Sequence, residues 1–155
     1  MMDRHKIFLT HSLFGPSLSL ALLAGCASGT MVAYEGQALP REKIAVIKPA
    51  VSGFAAGMTA TAAPGMSCVN GKQVTGEEIH VLPGRHQVQI SLFHQPSSRN
   101  FRGNVEFPAE ANHEYLANGG VIGGQPLVWI EDARTRQRIA QAVAIDQSFK
   151  RIQCQ

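Results

Sequence analysis

Any chemistry in this chain has to come from a small set of side chains. Beyond residue 26 the histidines are His80, His86, His94 and His113. His86 and His94 fall on one alternating run. At about 3.3 Å per residue they stand about 26 Å apart, too far to share a metal unless another element folds over them. Pro83-Gly84 interrupts the register between His80 and His86. Solvent-facing or turn-bonded histidines are therefore expected, with His86 bonding the backbone of its own corner. Glu77-Glu78 and Glu131-Asp132 are adjacent carboxylates, and neighbours on a strand face opposite sides, so neither is a catalytic pair by itself. Glu110 and Glu114 would share a face only on a helix. An active site, if one exists, would draw on His113, Glu114 and Asp132. Neither G-x-S-x-G nor H-E-x-x-H occurs. The expectation is no catalytic residue, no metal and no cofactor. The run GGVIGG at 119–124 lacks the Lys-Ser/Thr of a phosphate loop. It reads as a β connection or a bulged strand edge, and its bare backbone makes Gly119, Gly120, Gly123 and Gly124 a candidate partner-binding loop.

The third chemical feature is LLAGCASGT, residues 22–30. Upstream lie Arg4, His5 and Lys6, then an apolar stretch broken by His11, Ser12, Gly15 and Pro16. A basic start, an apolar middle and a small-residue end form the layout of a secretory signal. A spanning helix needs about 20 mainly apolar residues, which this stretch does not supply. Leu23-Ala24-Gly25-Cys26 resembles the lipobox of bacterial lipoproteins. That resemblance implies cleavage between Gly25 and Cys26, a diacylglycerol on the Cys26 thiol and acylation of the new amino terminus. Three acyl chains exceed the roughly two signals that stable anchoring needs. By the same resemblance, Ala27 rather than Asp after the cysteine implies sorting to the outer membrane, with the domain facing the periplasm.

Cys68 and Cys154 remain. Neither belongs to a C-x-x-C pair or to a metal-ligand spacing. An even remainder in an exported chain favours a disulfide, because the periplasm is oxidising, and two thiols allow one connectivity. Closing so long a loop stabilises by about 4 to 5 kcal/mol in the chain-entropy description.

The chain carries 14 basic and 11 acidic residues. Asp3, Arg4 and Lys6 would leave with the signal. Basic residues are scattered apart from Arg134, Arg136 and Arg138, and no aromatic platform accompanies them, so a nucleic-acid partner is not expected.

The elements that must position these residues are strands. In RHQVQISLF, residues 85–93, Val88, Ile90 and Leu92 alternate with Gln87, Gln89 and Ser91, the mark of a half-buried strand. EEIHVL places Ile79 and Val81 on one face, and Pro83-Gly84 then makes a hairpin or a tight corner. Asn70-Gly71 is a strong short hairpin signal. NVEF, EYLA and LVWIED are further runs, and REKIAVIKP supplies a first strand ended by Pro49. Residues 134–150 fit a helix, and a return strand at 137–144 fits equally. Trp129 is either a core plug or, if Val128 and Ile130 point inward, an outward-facing contact. Turns every 8 to 12 residues fit a β-sandwich or a small barrel, and the expected fold is all-β, a small antiparallel β-sandwich of seven or eight strands with one optional short C-terminal helix. The expected organisation is a signal peptide at 1–25, a tether at 26–41 and one domain at 42–155.

Asn70-Gly71, Leu82-Pro83-Gly84-Arg85-His86, Phe107 to Tyr115 and Trp129-Ile130-Glu131-Asp132 together resemble small lipoproteins of Gram-negative bacteria. The Leu-Pro-Gly corner is also similar to PEGA-type modules, small β-sandwiches of envelope and surface proteins. The resemblance covers roughly residues 43–133. It implies a non-enzymatic binding or scaffolding module that meets the membrane through its lipid and an envelope protein through sheet edges or loops. A periplasmic small-molecule carrier or enzyme is the alternative.

Overall fold

The structure, a computed structural model, describes residues 29–50, 62–147 and 154. Eleven strand segments run through the described residues. They are β1 (Thr30–Val32), β2 (Ala45–Pro49), β3 (Ala62–Val69), β4 (Lys72–Gln73), β5 (Glu78–Val81), β6 (Gly84–His94), β7 (Arg99–Ala109), β8 (Glu114–Ile122), β9 (Gln125–Asp132), β10 (Arg138–Val143) and β11 (Ile145–Asp146). They form two sheets, a six-stranded one ordered β1-β5-β2-β8-β9-β10 and a five-stranded one ordered β11-β7-β6-β3-β4. The all-β sandwich expected from the alternation is what forms. The strand count exceeds the expected seven or eight, because segments of two or three residues pair at the margins.

Two details differ from a purely antiparallel sandwich. β2 runs parallel to β8, and β1 runs parallel to β5. Each such pair joins segments far apart in sequence, so no local turn signal announces it. β1 also takes up Thr30–Val32, which the sequence places in a tether. Backbone hydrogen bonds recruit these residues: Ala33 N–H donates to His80 O at 2.9 Å and Glu77 N–H to Gly29 O at 2.9 Å. Of the two alternatives for 134–150, the strand is realised in the described part, up to residue 147: β10 pairs with β9 and β11 with β7.

The local signals behave as their chemistry requires. Asn70 and Gly71 both adopt positive φ, 50° and 73°, in the two-residue turn between Val69 and Lys72. The Leu82-Pro83-Gly84 stretch is a corner rather than a hairpin. β5 belongs to one sheet and β6 to the other, and Gly84 at φ 138° turns the chain between them. Alternation along β6 and β7 buries Val88, Ile90, Leu92, Val105 and Phe107, which meet Ile47, Ile79, Val81, Ala117, Val128 and Ile130 from the other sheet. Phe107 packs edge-on against Tyr115, ring centroids 4.9 Å apart.

Close approach of the sheets needs missing side chains. A Cβ on Gly119 would lie 3.1 Å from Leu92 Cδ1 and 3.2 Å from Val128 Cγ1. One on Gly103 would lie 2.5 Å from Val128 Cγ2.

The sandwich therefore has two unlike ends. The corner end carries Leu82–Gly84, the Asn112 turn into β8 and the Asp132–Gln137 turn. The hairpin end carries the β6–β7 and β8–β9 connections.

Candidate functional site

At the corner end, β8 opens just after Asn112, whose φ of 62° is a left-handed geometry that asparagine tolerates. The turn places His113 against β9. Its Nδ1 lies 3.3 Å from Asp132 Oδ2 and its Nε2 lies 3.6 Å from Glu110 Oε2. The His113 ring stacks on Tyr115 at 6.1 Å. The Tyr115 hydroxyl accepts the Glu110 N–H at 3.0 Å, and burial pushes its ionisation up.

Asp132 is buried. Its Oδ1 accepts the Thr135 N–H at 2.7 Å, the Arg134 N–H at 2.9 Å and the Thr135 hydroxyl at 3.1 Å. The Thr135 N–H above all, then the Thr135 hydroxyl, the Arg134 N–H and His113, hold the carboxyl below the usual range against the opposing effect of burial. Three donors on one oxygen make Asp132 the cap of the β9–β10 turn. Arg136 completes that turn with φ 60° and donates its N–H to Asp132 O at 2.9 Å.

An aspartate beside a histidine is half of a nucleophile-activating array. Here the aspartate is committed to its turn, and the two His113 nitrogens lie against carboxylates, Asp132 and Glu110. Of the trio His113, Glu114 and Asp132, the fold joins the first and last and sends Glu114 to the opposite face of its strand.

Glu114 belongs to a second cluster, on the outer face of the six-stranded sheet. Lys48 Nζ lies 2.9 Å from Glu114 Oε1 and 3.4 Å from Glu78 Oε2. Arg41 reaches Glu78 Oε1 at 2.9 Å and Glu114 Oε2 at 3.6 Å. Each cation thus bridges both carboxylates. His80 Nε2 sits 2.6 Å from Glu78 Oε1. His80 foremost, then Arg41 and Lys48, pull the Glu78 carboxyl down to about 2, with burial opposing them. The hydrogen bond to Glu114 chiefly raises Lys48. In the sequence these residues are isolated solvated charges. Only the β5-β2-β8 register lines them up, so no sequence signal predicts the ring. It neutralises itself and staples three strands.

The remaining histidines serve turns. His86 Nε2 donates to Leu82 O at 2.7 Å and its Nδ1 accepts from Asn70 Nδ2 at 2.8 Å, which locks the corner as expected. His94 Nδ1 lies 2.7 Å from Ser97 Oγ beside the β6–β7 connection.

The glycine run divides between the two expected readings, strand and connection. Gly119 and Gly120 lie inside β8 rather than in a loop, and only Gly123 and Gly124, with φ of 58° and 81°, form the two-residue turn to β9. Gly119 admits the Leu92 and Val128 side chains, and Gly120 lies beneath the Trp129 ring, with a built Cβ 3.6 Å from Cη2. Trp129 itself faces outward, because Val128 and Ile130 occupy the core. Its Nε1 donates to Glu131 Oε2 at 3.1 Å, and the Arg138 guanidinium lies 4.3 Å above its ring. Arg136 pairs with Glu131 at 3.0 Å. The alternating arginines thus dress one hairpin.

Cys68 and Cys154 lie at disulfide-bonding distance, Cα atoms 5.6 Å apart, with Cys68 buried. Gly25 and Cys26 lie outside the described residues. Among those that are described, no helix is long and apolar enough to cross a membrane, and no group of three His, Cys, Asp or Glu could hold a metal ion. No protein-family model, curated protein or solved structure matches this chain.

Proposed function

We propose that this chain is a lipid-anchored envelope protein whose β-sandwich binds or scaffolds another envelope component without catalysing a reaction. The pairing of Cys68 with Cys154 carries this reading. It accounts for both domain cysteines and implies an oxidising compartment. Cys26 is then the one cysteine left over, and it stands in a lipobox-like sequence behind a signal-like segment. Acylation there would hold the domain at the outer membrane, on the periplasmic side. Recognition would fall to the β10 edge, near exposed Ile139, because an edge strand offers backbone groups to a partner strand. His113 and Asp132 support the carrier or enzyme alternative less well, since the aspartate already caps a turn.

Intact mass of the membrane-extracted protein tests the reading. Residues 26–155 plus acyl chains, gaining two hydrogens on reduction, is the expected result. A soluble, unacylated protein would refute the anchor. Cys26→Ala should leave the precursor uncleaved or release the protein from the membrane, with the sandwich intact.

A further inference from the structure

The large apolar side chains left exposed are unevenly placed. Among the described residues, five of the eight stand at or near the hairpin end: Phe93 (40% exposed), Val121 (37%), Ile122 (47%), Val143 (54%) and Ile145 (60%). Ile122 adjoins the Gly123-Gly124 turn, and Val143 is level with Gly120 through Leu127. The corner end instead gathers Glu110, His113, Asp132, Arg134 and Arg136. These side chains belong to both sheets, Phe93 and Ile145 to the five-stranded one and Ile122 and Val143 to the six-stranded one, so the end where the two sheets stop is apolar on both sides. Apolar exposure gathered at one end of a domain marks an interaction surface. Its rim bears Arg99 and Arg102 beside Asp146, with Arg99 and Asp146 3.8 Å apart.

The path of the chain says what covers this end. Met31 pairs with Ile79, Ile79 with Ile47, and Ile47 with Tyr115, so Met31 is level with Tyr115. β1 is parallel to β5, β5 antiparallel to β2, and β2 parallel to β8. The chain upstream of Met31 therefore leaves toward the hairpin end. Cys26 is five residues before Met31, and an extended chain carries it at most about 17 Å past the Tyr115 level. The turn at Gly123 is eight residues past Tyr115 along β8, about 26 Å at about 3.3 Å per residue. The hairpin tip thus stands about 9 Å beyond the farthest reach of Cys26. Apolar faces of interfacial segments bury about 5–10 Å into the boundary between headgroups and acyl chains.

We infer that the hairpin end of the sandwich, led by Val121 and Ile122, lies in the headgroup layer of the membrane that holds the Cys26 lipid, leaving the charged corner end facing away. The inference rests on Cys26 being acylated. The short tether fixes which end meets the lipid, and the apolar rim makes that contact favourable.

The test uses the full chain, isolated from membranes and reconstituted in phosphatidylethanolamine–phosphatidylglycerol vesicles containing dibrominated lipid. Trp129→Phe removes the native fluorophore, and Ile122→Trp or Val143→Trp reports from the hairpin end. Leu82→Trp reports from the corner end. Circular dichroism matching the unsubstituted protein certifies each fold, and intact mass certifies acylation. The expected result is a blue-shifted emission that bromines extinguish at positions 122 and 143, with position 82 untouched. Acylated protein whose positions 122 and 143 ignore the bromines overturns the inference while leaving the anchor standing. A doubled mass by light scattering in that sample would assign the face to a second copy instead. Protein with no acyl chains overturns the anchor itself, and the inference with it.

Discussion

Gly103→Ala probes the contact that brings the two sheets together. Gly103 lies in β7 opposite Ile90, and an added Cβ would sit 2.5 Å from Val128 Cγ2, 3.2 Å from Val143 O and 3.4 Å from Ala144 Cα. Carbon atoms in comfortable contact are about 3.5–4.0 Å apart, so the overlap with Val128 is about 1 Å. Val128 cannot retreat easily. It is fully buried, and its other methyl already fills the space that Gly119 leaves open. Overpacking of this kind costs about 1–3 kcal/mol. Replacing glycine by alanine also narrows the unfolded ensemble, which returns about 0.4–1 kcal/mol. The net expectation is a loss of about 1–2 kcal/mol. With a urea m-value of about 2 kcal/mol/M, the midpoint should fall by about 0.5–1 M with the slope unchanged. Trp129 is the sole tryptophan and neighbours Val128, so its fluorescence reports the transition. Val128→Ala removes the colliding methyl. In that background the cost of Gly103→Ala should shrink to what the backbone contact with Val143 O at 3.2 Å leaves. An equal cost in both backgrounds would refute steric collision as the reason for a glycine here.

Breaking the Cys68–Cys154 bond by Cys154→Ser should cost about 4.6 kcal/mol in the chain-entropy description, given the sequence separation of 86, and should lower the melting temperature markedly. An unchanged melting curve would count against a closed bond in the native protein. Glu78 titrates at about 2 when folded against an ordinary 4.5, so its contribution is fully present above 4.5 and is lost as pH falls toward 2. Converted directly, the shift is worth about 3 kcal/mol, which partial solvent exposure of the ring reduces to about 1–2 kcal/mol. Glu78→Gln should therefore flatten the stability profile across that acid window, and a profile as steep as that of the unsubstituted protein would exclude the ring as its source. Asp132→Ala strands the Thr135 and Arg134 N–H groups and should cost about 2 kcal/mol, measured by thermal melting, with Asp132→Asn retaining part of the cap.

What the sequence determined by itself was local. Alternation in 85–93 and 104–107 assigns Val88, Ile90, Leu92, Val105 and Phe107 to the core, because a strand turns successive side chains to opposite faces. Asn70-Gly71 and Pro83-Gly84 mark turns because few residues tolerate such backbone angles. The even pair of cysteines past Cys26 has one possible partner each, and the structure brings them together.

What depended on tertiary structure was every relation between distant segments. The parallel pairings of β1 with β5 and β2 with β8 come from the arrangement of strands in the whole sheet. The ring of Arg41, Lys48, Glu78, His80 and Glu114 exists only in that register, and a slip of one residue would turn its members to the other face. Residues 138–143 suit a helix or a strand by propensity, and the free edge of β9 decides for the strand. The glycines at 119 and 120 read from sequence as either a connection or a strand edge. Inside β8 they are the space that Leu92, Val128 and Trp129 fill, because side-chain volume on one element sets how bare its neighbour must be.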